Sequence, residues 1–168
     1  LLSSYAFLTE RPMIAVVNVD AADAAREPPV RDSRVAETLA VCAQAEAEIA
    51  QLEPAEQGPF LEDLGVAEPL ASRLMHACRR AAGLIHFLTV TEQETRAWPI
   101  RAGSTALEAA GKVHTDMARG FIRAETVAFD DLVAAGDMRA ARAAGKVRQE
   151  GKNYIVQDGD VIHFKFNV

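Results

Sequence analysis

The sequence predicts an α+β fold in two parts, and three observations carry that prediction. A short run of small and β-branched residues, "MIAVV" at 13–17, ends on Asn18 and Asp20, and helical patterning then extends as far as Gly83. Beyond Gly83, two strand-like segments, "LIHFLTV" (84–90) and "ETRAWPI" (94–100), stand three polar residues apart. The rest of the chain completes the order strand, strand, helix, strand, small helices, strand, strand, a compact α+β plan. The two parts are read as residues 1–83 and 84–168.

In the first part, Pro12 stands at the start of the Met13–Val17 strand, where a missing backbone donor is tolerated. Pro28 and Pro29 mark a turn. Residues Val35 to Val41 fit either a short strand or the edge of a helix, and the pattern leaves both open. A short acidic helix is expected over Ala45–Leu52, with Pro54 breaking it. "PFLEDLGV" reads as an amphipathic element closed by Gly65. Leu70, Leu74, Cys78 and Ala81 then recur at near-helical spacing, with Pro69 in the first turn and Gly83 at the end.

In the second part, the 84–100 hairpin puts Arg96 and Trp98 on one face, because side chains alternate along a strand. Ser104 or Thr105 caps a helix containing Leu107 and Ala110, and Glu108, three residues after Thr105, fits a capping box. A third strand is expected at 121–127, entered through Gly120. "FDDLVAAGDMRAARAAG" breaks into short helices around Gly136, and "NYIVQDGDVIHFKFNV" predicts two short strands flanking an Asp158-Gly159 turn.

Composition narrows the function classes. With 168 residues, 49% hydrophobic and 25% charged, the chain has the make-up of a globular protein with a real core. It contains no apolar stretch near 20 residues, so no membrane partner is expected. Two widely spaced cysteines, Cys42 and Cys78, read as free thiols of a cytoplasmic protein. A net charge of −6 argues against broad grip on nucleic acid, and no DNA specificity is expected. Between residues 139 and 152, however, Arg139, Arg142, Lys146, Arg148 and Lys152 face a single acid, Glu150. That run is the candidate RNA or ribosome contact; the alternative is a solvated helix and loop surface.

Candidate chemistry is sparse. Asn18, at the end of a hydrophobic strand, offers one acceptor and one amide donor, which suits the edge of a nucleobase. Asp20 could accept from a base or cap the following turn. A phosphate loop needs closely spaced glycines ending in Lys-Ser or Lys-Thr, and Gly103, Gly111 and Gly120 lack that arrangement. His86, His114 and His163 lie in separate elements without paired cysteines, so no metal site is expected, and His76 reads as a surface or structural residue. His114, two residues before Asp116, forms either an acid–histidine pair or a structural brace for its connection.

The stretch "RAWPIRAGSTALEAAGKVHTDMARGFIRAE" followed by "GKNYIVQDGDVIHFKFNV" resembles the YchF / Obg-like ATPase family of translation-factor-related P-loop proteins. The resemblance continues upstream through "FLEDLG" and "EAEIAQL" to "FLTERPMIAVVNVD". It implies that residues 84–168 form a TGS domain, a small ubiquitin-like β-grasp fold, and that residues 1–83 are an α/β remnant, the carboxyl-terminal portion of a P-loop nucleotide-binding domain. "NVDA" at 18–21 matches the family's "NVDE", where classical GTPases carry their base-specificity motif, so Asn18 and Asp20 are implied to read the base. Ala21 replaces the family's common Glu and removes an acceptor. Cys42-Ala43-Gln44 resembles the Ser-Ala loop of P-loop GTPases, whose backbone N–H groups can face the base.

The family relationship further implies ATP, or GTP, with Mg2+ as cofactor in the full parent, ATP being preferred, and a ribosome or ribosomal RNA as partner. The P-loop and magnesium ligands are expected upstream of residue 1. The 168 residues are therefore expected to carry no catalytic residue, to bind no nucleotide tightly and to hydrolyse none alone. The alternative is a standalone TGS-type RNA- or protein-binding module with no nucleotide function.

Overall fold

The computed structural model describes residues 7–28, 32–91 and 94–167, so Pro29 of the expected turn and residues 92–93 of the hairpin connection lie outside the described residues. Its contacts divide the chain into two units, Leu1–Ala82 and Gly83–Val168.

In the first unit, the Val/Ile-rich run forms strand β1 (Met13–Asn18), which pairs in parallel with β2 (Val35–Val41). Residues 35–41 are thus a strand, and its end buries Leu39, Ala40 and Val41. Three helices follow: α1 (Ala43–Ile49), α2 (Gln57–Asp63) and α3 (Leu70–Ala81). The acidic helix begins two residues before the expected Ala45 and ends at Ile49. Pro69 stands one position outside α3 as its N-cap. Its ring supplies no capping group; instead both carboxylate oxygens of Glu46, on α1, accept from the Leu70 N–H at 3.0 Å. Arg73 on α3 donates to the Ala40 carbonyl at 2.9 Å, and Arg80 pairs with Glu37 at 2.6 Å, which fastens α3 to β2.

The second unit contains β3 (Leu84–Val90), β4 (Thr95–Arg101), α4 (Ala106–Val113), α5 (Thr115–Arg119) and β5 (Phe121–Ala128). It continues with α6 (Phe129–Ala135), α7 (Met138–Ala143), β6 (Arg148–Glu150) and β7 (Asp160–Phe166). The sheet order is β4-β3-β7-β5-β6, with β3 and β7 parallel and every other pairing antiparallel. Ala106, Ala109 and Ala110 on α4 are fully buried against Phe87, Ile100, Ile162 and Phe164. Small side chains let the helix lie close to the sheet, where Phe87 meets Phe164 edge-on at 5.9 Å. A second cluster, Val127, Ala141 and Val161, gathers Leu88 from β3 and Leu132 and Met138 from the short helices.

Short-range signals in the sequence correspond to short-range contacts in the fold. Thr105 and Glu108 form both halves of a capping box at α4. His114 Nδ1 accepts from the Asp116 N–H at 3.2 Å and caps α5, so it braces the α4–α5 connection; its ring also lies 3.4 Å from the Asp116 carboxylate. Gly120 sits under the end of β7, where the Asn167 N–H donates to its carbonyl at 2.9 Å and a Cβ would fall 1.8 Å from the Asn167 oxygen.

One expectation fails. The residues before the Asp158-Gly159 turn form no strand beyond an isolated bridge from Ile155 to Thr105. Their backbone groups go to the start of α4 instead: the Tyr154 carbonyl accepts from Ala106 and the Val156 N–H donates to Ser104. The edge strand on the far side of β5 from β7 is the polar triplet β6, which carries no hydrophobic alternation to announce it.

Candidate functional site

At the close of β1, Asn18 stands opposite Val41, and the ladder runs one residue further through Val19 N–H to the Val41 carbonyl at 2.8 Å. This register sets the Asn18 side chain beside the start of α1. Its Oδ1 accepts from the Ala43 N–H at 3.0 Å. Asn18 and the Cys42-Ala43 turn, 24 and more residues apart in sequence, are thus brought together at the carboxyl ends of two parallel strands, where open α/β sheets bind ligands.

The bond changes the expected division of labour. The Ala43 N–H is committed to Asn18, so the outward-facing donor is the Asn18 Nδ2 amide, which makes no hydrogen bond among the described residues. Asp20 is exposed and leads into a 3-10 turn (Ala21–Asp23) through its backbone carbonyl, with no capping bond from its side chain. The capping alternative for Asp20 is therefore not what the structure shows. One amide donor and one carboxylate acceptor remain exposed on neighbouring positions, a pairing suited to the polar edge of a purine. Cys42 is half-buried and free, and Ala43 is exposed. The Glu46 cap on α3, described above, holds α1 in place; nothing in the sequence signals it, since the partners lie 24 residues apart.

Among the described residues no group of three His, Cys, Asp or Glu could hold a metal ion.

The basic run resolves into two kinds of residue. Arg142 Nη2 lies 2.9 Å from Glu125, Lys146 lies 3.0 Å from Asp131, and Arg148 lies 3.4 Å from Glu150 and 3.5 Å from Asp160. Arg139 and Lys152 are exposed and make no ion pair among the described residues. Glu125 is nearly buried, and Lys165 approaches it at 3.8 Å beside His163. Burial first, and then the Lys165 ammonium, hold the His163 imidazole below its ordinary pKa. Arg148 also donates to Tyr154 Oη at 2.9 Å, and that hydroxyl donates to the buried Asp160 at 2.8 Å. Desolvation, followed by the Asp160 bond, pushes the Tyr154 phenol up to about 12.

A parallel pair ending in a braced asparagine, followed in sequence by a mixed five-stranded sheet, defines a two-unit mixed α/β protein with an exposed polar edge at the end of β1. A family model named YchF-GTPase_C and described as "Protein of unknown function (DUF933)" matches residues 84–167. The "Ribosome-binding ATPase YchF" of Bacillus subtilis is 49% identical over 96% of this chain and 46% of its own length. The "Obg-like ATPase 1" of Caenorhabditis elegans is 37% identical over 99% of this chain and 45% of its own length. The solved structure of the Schizosaccharomyces pombe YchF GTPase matches with a TM-score of 0.83 and 28% identity, covering 98% of this chain and 46% of that one. The chain belongs to the YchF / Obg-like ATPase family. It spans a little under half the length of these relatives.

Proposed function

We propose that this chain supplies the base-reading side of a purine-nucleotide site and a docking domain, as the carboxyl-terminal part of a ribosome-associated, ATP-preferring P-loop NTPase. The observation that carries the nucleotide reading is the Asn18 Oδ1 to Ala43 N–H bond at the end of the β1–β2 pair. It fixes the amide plane so that Nδ2 points a donor at a ring nitrogen while Asp20 takes an exocyclic amine. The preference for ATP rests on the relatives named as ATPases; Ala21 contributes no acceptor of its own.

Further support comes from β1. Among the described residues it pairs on one side alone, and Met13 and Val16 are 49% and 44% exposed. Parallel strands are stable mainly inside larger covered sheets. The open edge of β1 suits further parallel strands of a P-loop domain, which would bring the phosphate cradle and the Mg2+ ligands. On this reading the 168 residues turn over no nucleotide by themselves.

For residues 83–168, the order β4-β3-β7-β5-β6, with β3 and β7, the first and last strands in sequence, parallel and adjacent and α4 across one face, supports a TGS-type, ubiquitin-like β-grasp fold. We assign it ribosome docking, which places the protein in the cytoplasm, and the names of the bacterial relatives support that assignment. Within the basic run, Arg139 and Lys152 are the residues free to meet RNA phosphates.

The test is a nuclear magnetic resonance titration of the 15N-labelled chain with ATP, GTP and tripolyphosphate. ATP should shift the Asn18 side-chain amide and the Ala43 and Gln44 amides at millimolar concentrations, GTP less, and tripolyphosphate not at all. Asn18→Asp keeps the acceptor for Ala43 and removes the donor, so it should abolish the response with the local fold intact. An unchanged response in Asn18→Asp, or shifts centred elsewhere, would refute base reading and leave the docking domain as the function.

A further inference from the structure

The eight acids between residues 35 and 72 are accompanied by no Lys or Arg. Four of them are engaged: Glu37 with Arg80, Glu46 with the Leu70 N–H, Glu68 with His76 at 3.7 Å, and Glu48 with the Gln44 side-chain amide at 3.2 Å. Glu48, Glu53, Glu56, Glu62 and Asp63 make no ion pair among the described residues, and all five are exposed. They surround α1 and α2 and the turn between them.

Between these helices lies an apolar groove of about 250 Å³. Ile49 and Leu52 form one wall, Phe60 and Leu64 the other, and Glu48 and Asp63 stand on its two rims. Phe60 is 51% exposed, an unusual position for a phenylalanine on a seven-residue helix with a buried neighbour, Leu61, at 8%. The groove has room for one large apolar side chain, and the rims carry unneutralised negative charge.

We propose that the α1–α2 groove docks a Lys/Arg-rich protein segment through one leucine or aromatic anchor. The occupant follows from charge. RNA meets only carboxylates here and is repelled. A second copy of this chain brings a net charge of −6, and the cations of its basic run at 139–152 are largely paired with its own carboxylates. A basic amphipathic segment satisfies both features, since its apolar face fills the groove and its cations reach Glu48 and Asp63. Binding energy then sits mainly in the anchor against Phe60, with the acids setting the encounter rate and the choice of partner. This proposal is independent of the base-reading site, whose residues it does not use.

The probe is a fluorescein-labelled, helix-forming peptide of about 16 residues, made of lysine, alanine and leucine with leucines at i, i+3, i+4 and i+7. A counterpart has glutamate at every lysine, and a single-stranded RNA of equal length is the third ligand. With the full 168-residue chain, the basic peptide should bind with Kd on the order of 100 µM at low salt and weaken as salt rises. Amide shifts should centre on Ala45, Ile49, Phe60 and Leu64. Phe60→Ala should weaken binding about tenfold without altering the circular dichroism spectrum. Glu48→Gln with Asp63→Asn should weaken it and flatten the salt dependence. The proposal is overturned if the basic peptide fails to bind, if the glutamate peptide binds as well, if Phe60→Ala binds unchanged, or if RNA produces the same shifts.

Discussion

Replacing Arg142 by glutamate separates a docking cation from a structural one. The Glu125 side chain is 9% exposed, and its charge is met by Arg142 at 2.9 Å and more weakly by Lys165 at 3.8 Å. Coulomb attraction at that shorter distance is about 6 kcal/mol at an effective dielectric near 20. Arg142 is 57% exposed, however, so solvent replaces much of what is lost. Breaking a fully buried pair costs about 3–5 kcal/mol, and breaking an exposed one about 0–1 kcal/mol. With one partner buried, the other half out and Lys165 left in place, Arg142→Glu should cost about 2 kcal/mol. Trp98, the chain's one tryptophan, lies in the same unit, so its fluorescence in urea reports the loss as a midpoint shift of about 1 M at unchanged slope. In a Glu125→Gln background the same substitution should cost under about 0.5 kcal/mol. An equal cost in both backgrounds would refute the pairing argument. On the proposed ribosome docking, Arg142→Glu should lower the urea midpoint and leave co-sedimentation without urea near the parent's, because a loss of about 2 kcal/mol is smaller than the usual stability of a domain, about 5–15 kcal/mol. Arg139→Glu with Lys152→Glu should reduce co-sedimentation at low salt with the urea midpoint unchanged.

Two further predictions follow from groups that the fold holds tightly. Gly120→Ala drives a Cβ into the Asn167 carbonyl, detaching the end of β7 at a cost of about 2 kcal/mol, whereas Gly151→Ala, with open space around it, should fall within about 0.5 kcal/mol of the parent; equal urea midpoints would defeat the steric reading. Tyr154, with its folded pKa pushed up to about 12, favours the neutral form in the folded state, so its contribution is intact below the ordinary phenol value of about 10 and is lost as pH rises from there towards 12. Ultraviolet difference titration should show a high-pH phenolate step that Tyr154→Phe removes, and its persistence in that variant would assign the step elsewhere.

What was legible in the sequence was local. Thr105 and Glu108 are three residues apart, and Gly120 announces the entry to β5; each signal is complete within one turn of chain. What was not legible depends on partners brought from afar. Residues 139–152 looked like a basic stripe because Glu125, Asp131 and Asp160, which neutralise three of its five cations, lie outside the run. "NYIV" looked like a strand by composition, but its hydrogen bonds are taken by the start of α4, and the real strand β6 is polar. The 35–41 segment was ambiguous because a parallel strand buried at one end lacks clean alternation. The Asn18–Ala43 contact was half visible: Asn18 could be picked out from the end of its strand, but not its bond to Ala43.

Charge is distributed so that the two units favour different partners. Residues 83–168 hold eleven Lys or Arg and eleven Asp or Glu, so the entire −6 belongs to residues 1–82. In the second unit several of the cations are spent on internal carboxylates, and what remains for RNA is local, at Arg139 and Lys152. In the first unit the acids of α1 and α2 are left over, beside an apolar groove. A nucleotide bound at Asn18 would bring its own phosphates, and those negative groups must be held by cations and backbone donors beyond the eight acids of residues 35–72. On the proposed reading, the Asn18 edge therefore needs a basic phosphate cradle set against the open edge of β1. The same acidity that favours the proposed cationic partner at the α1–α2 groove disfavours phosphate and RNA there.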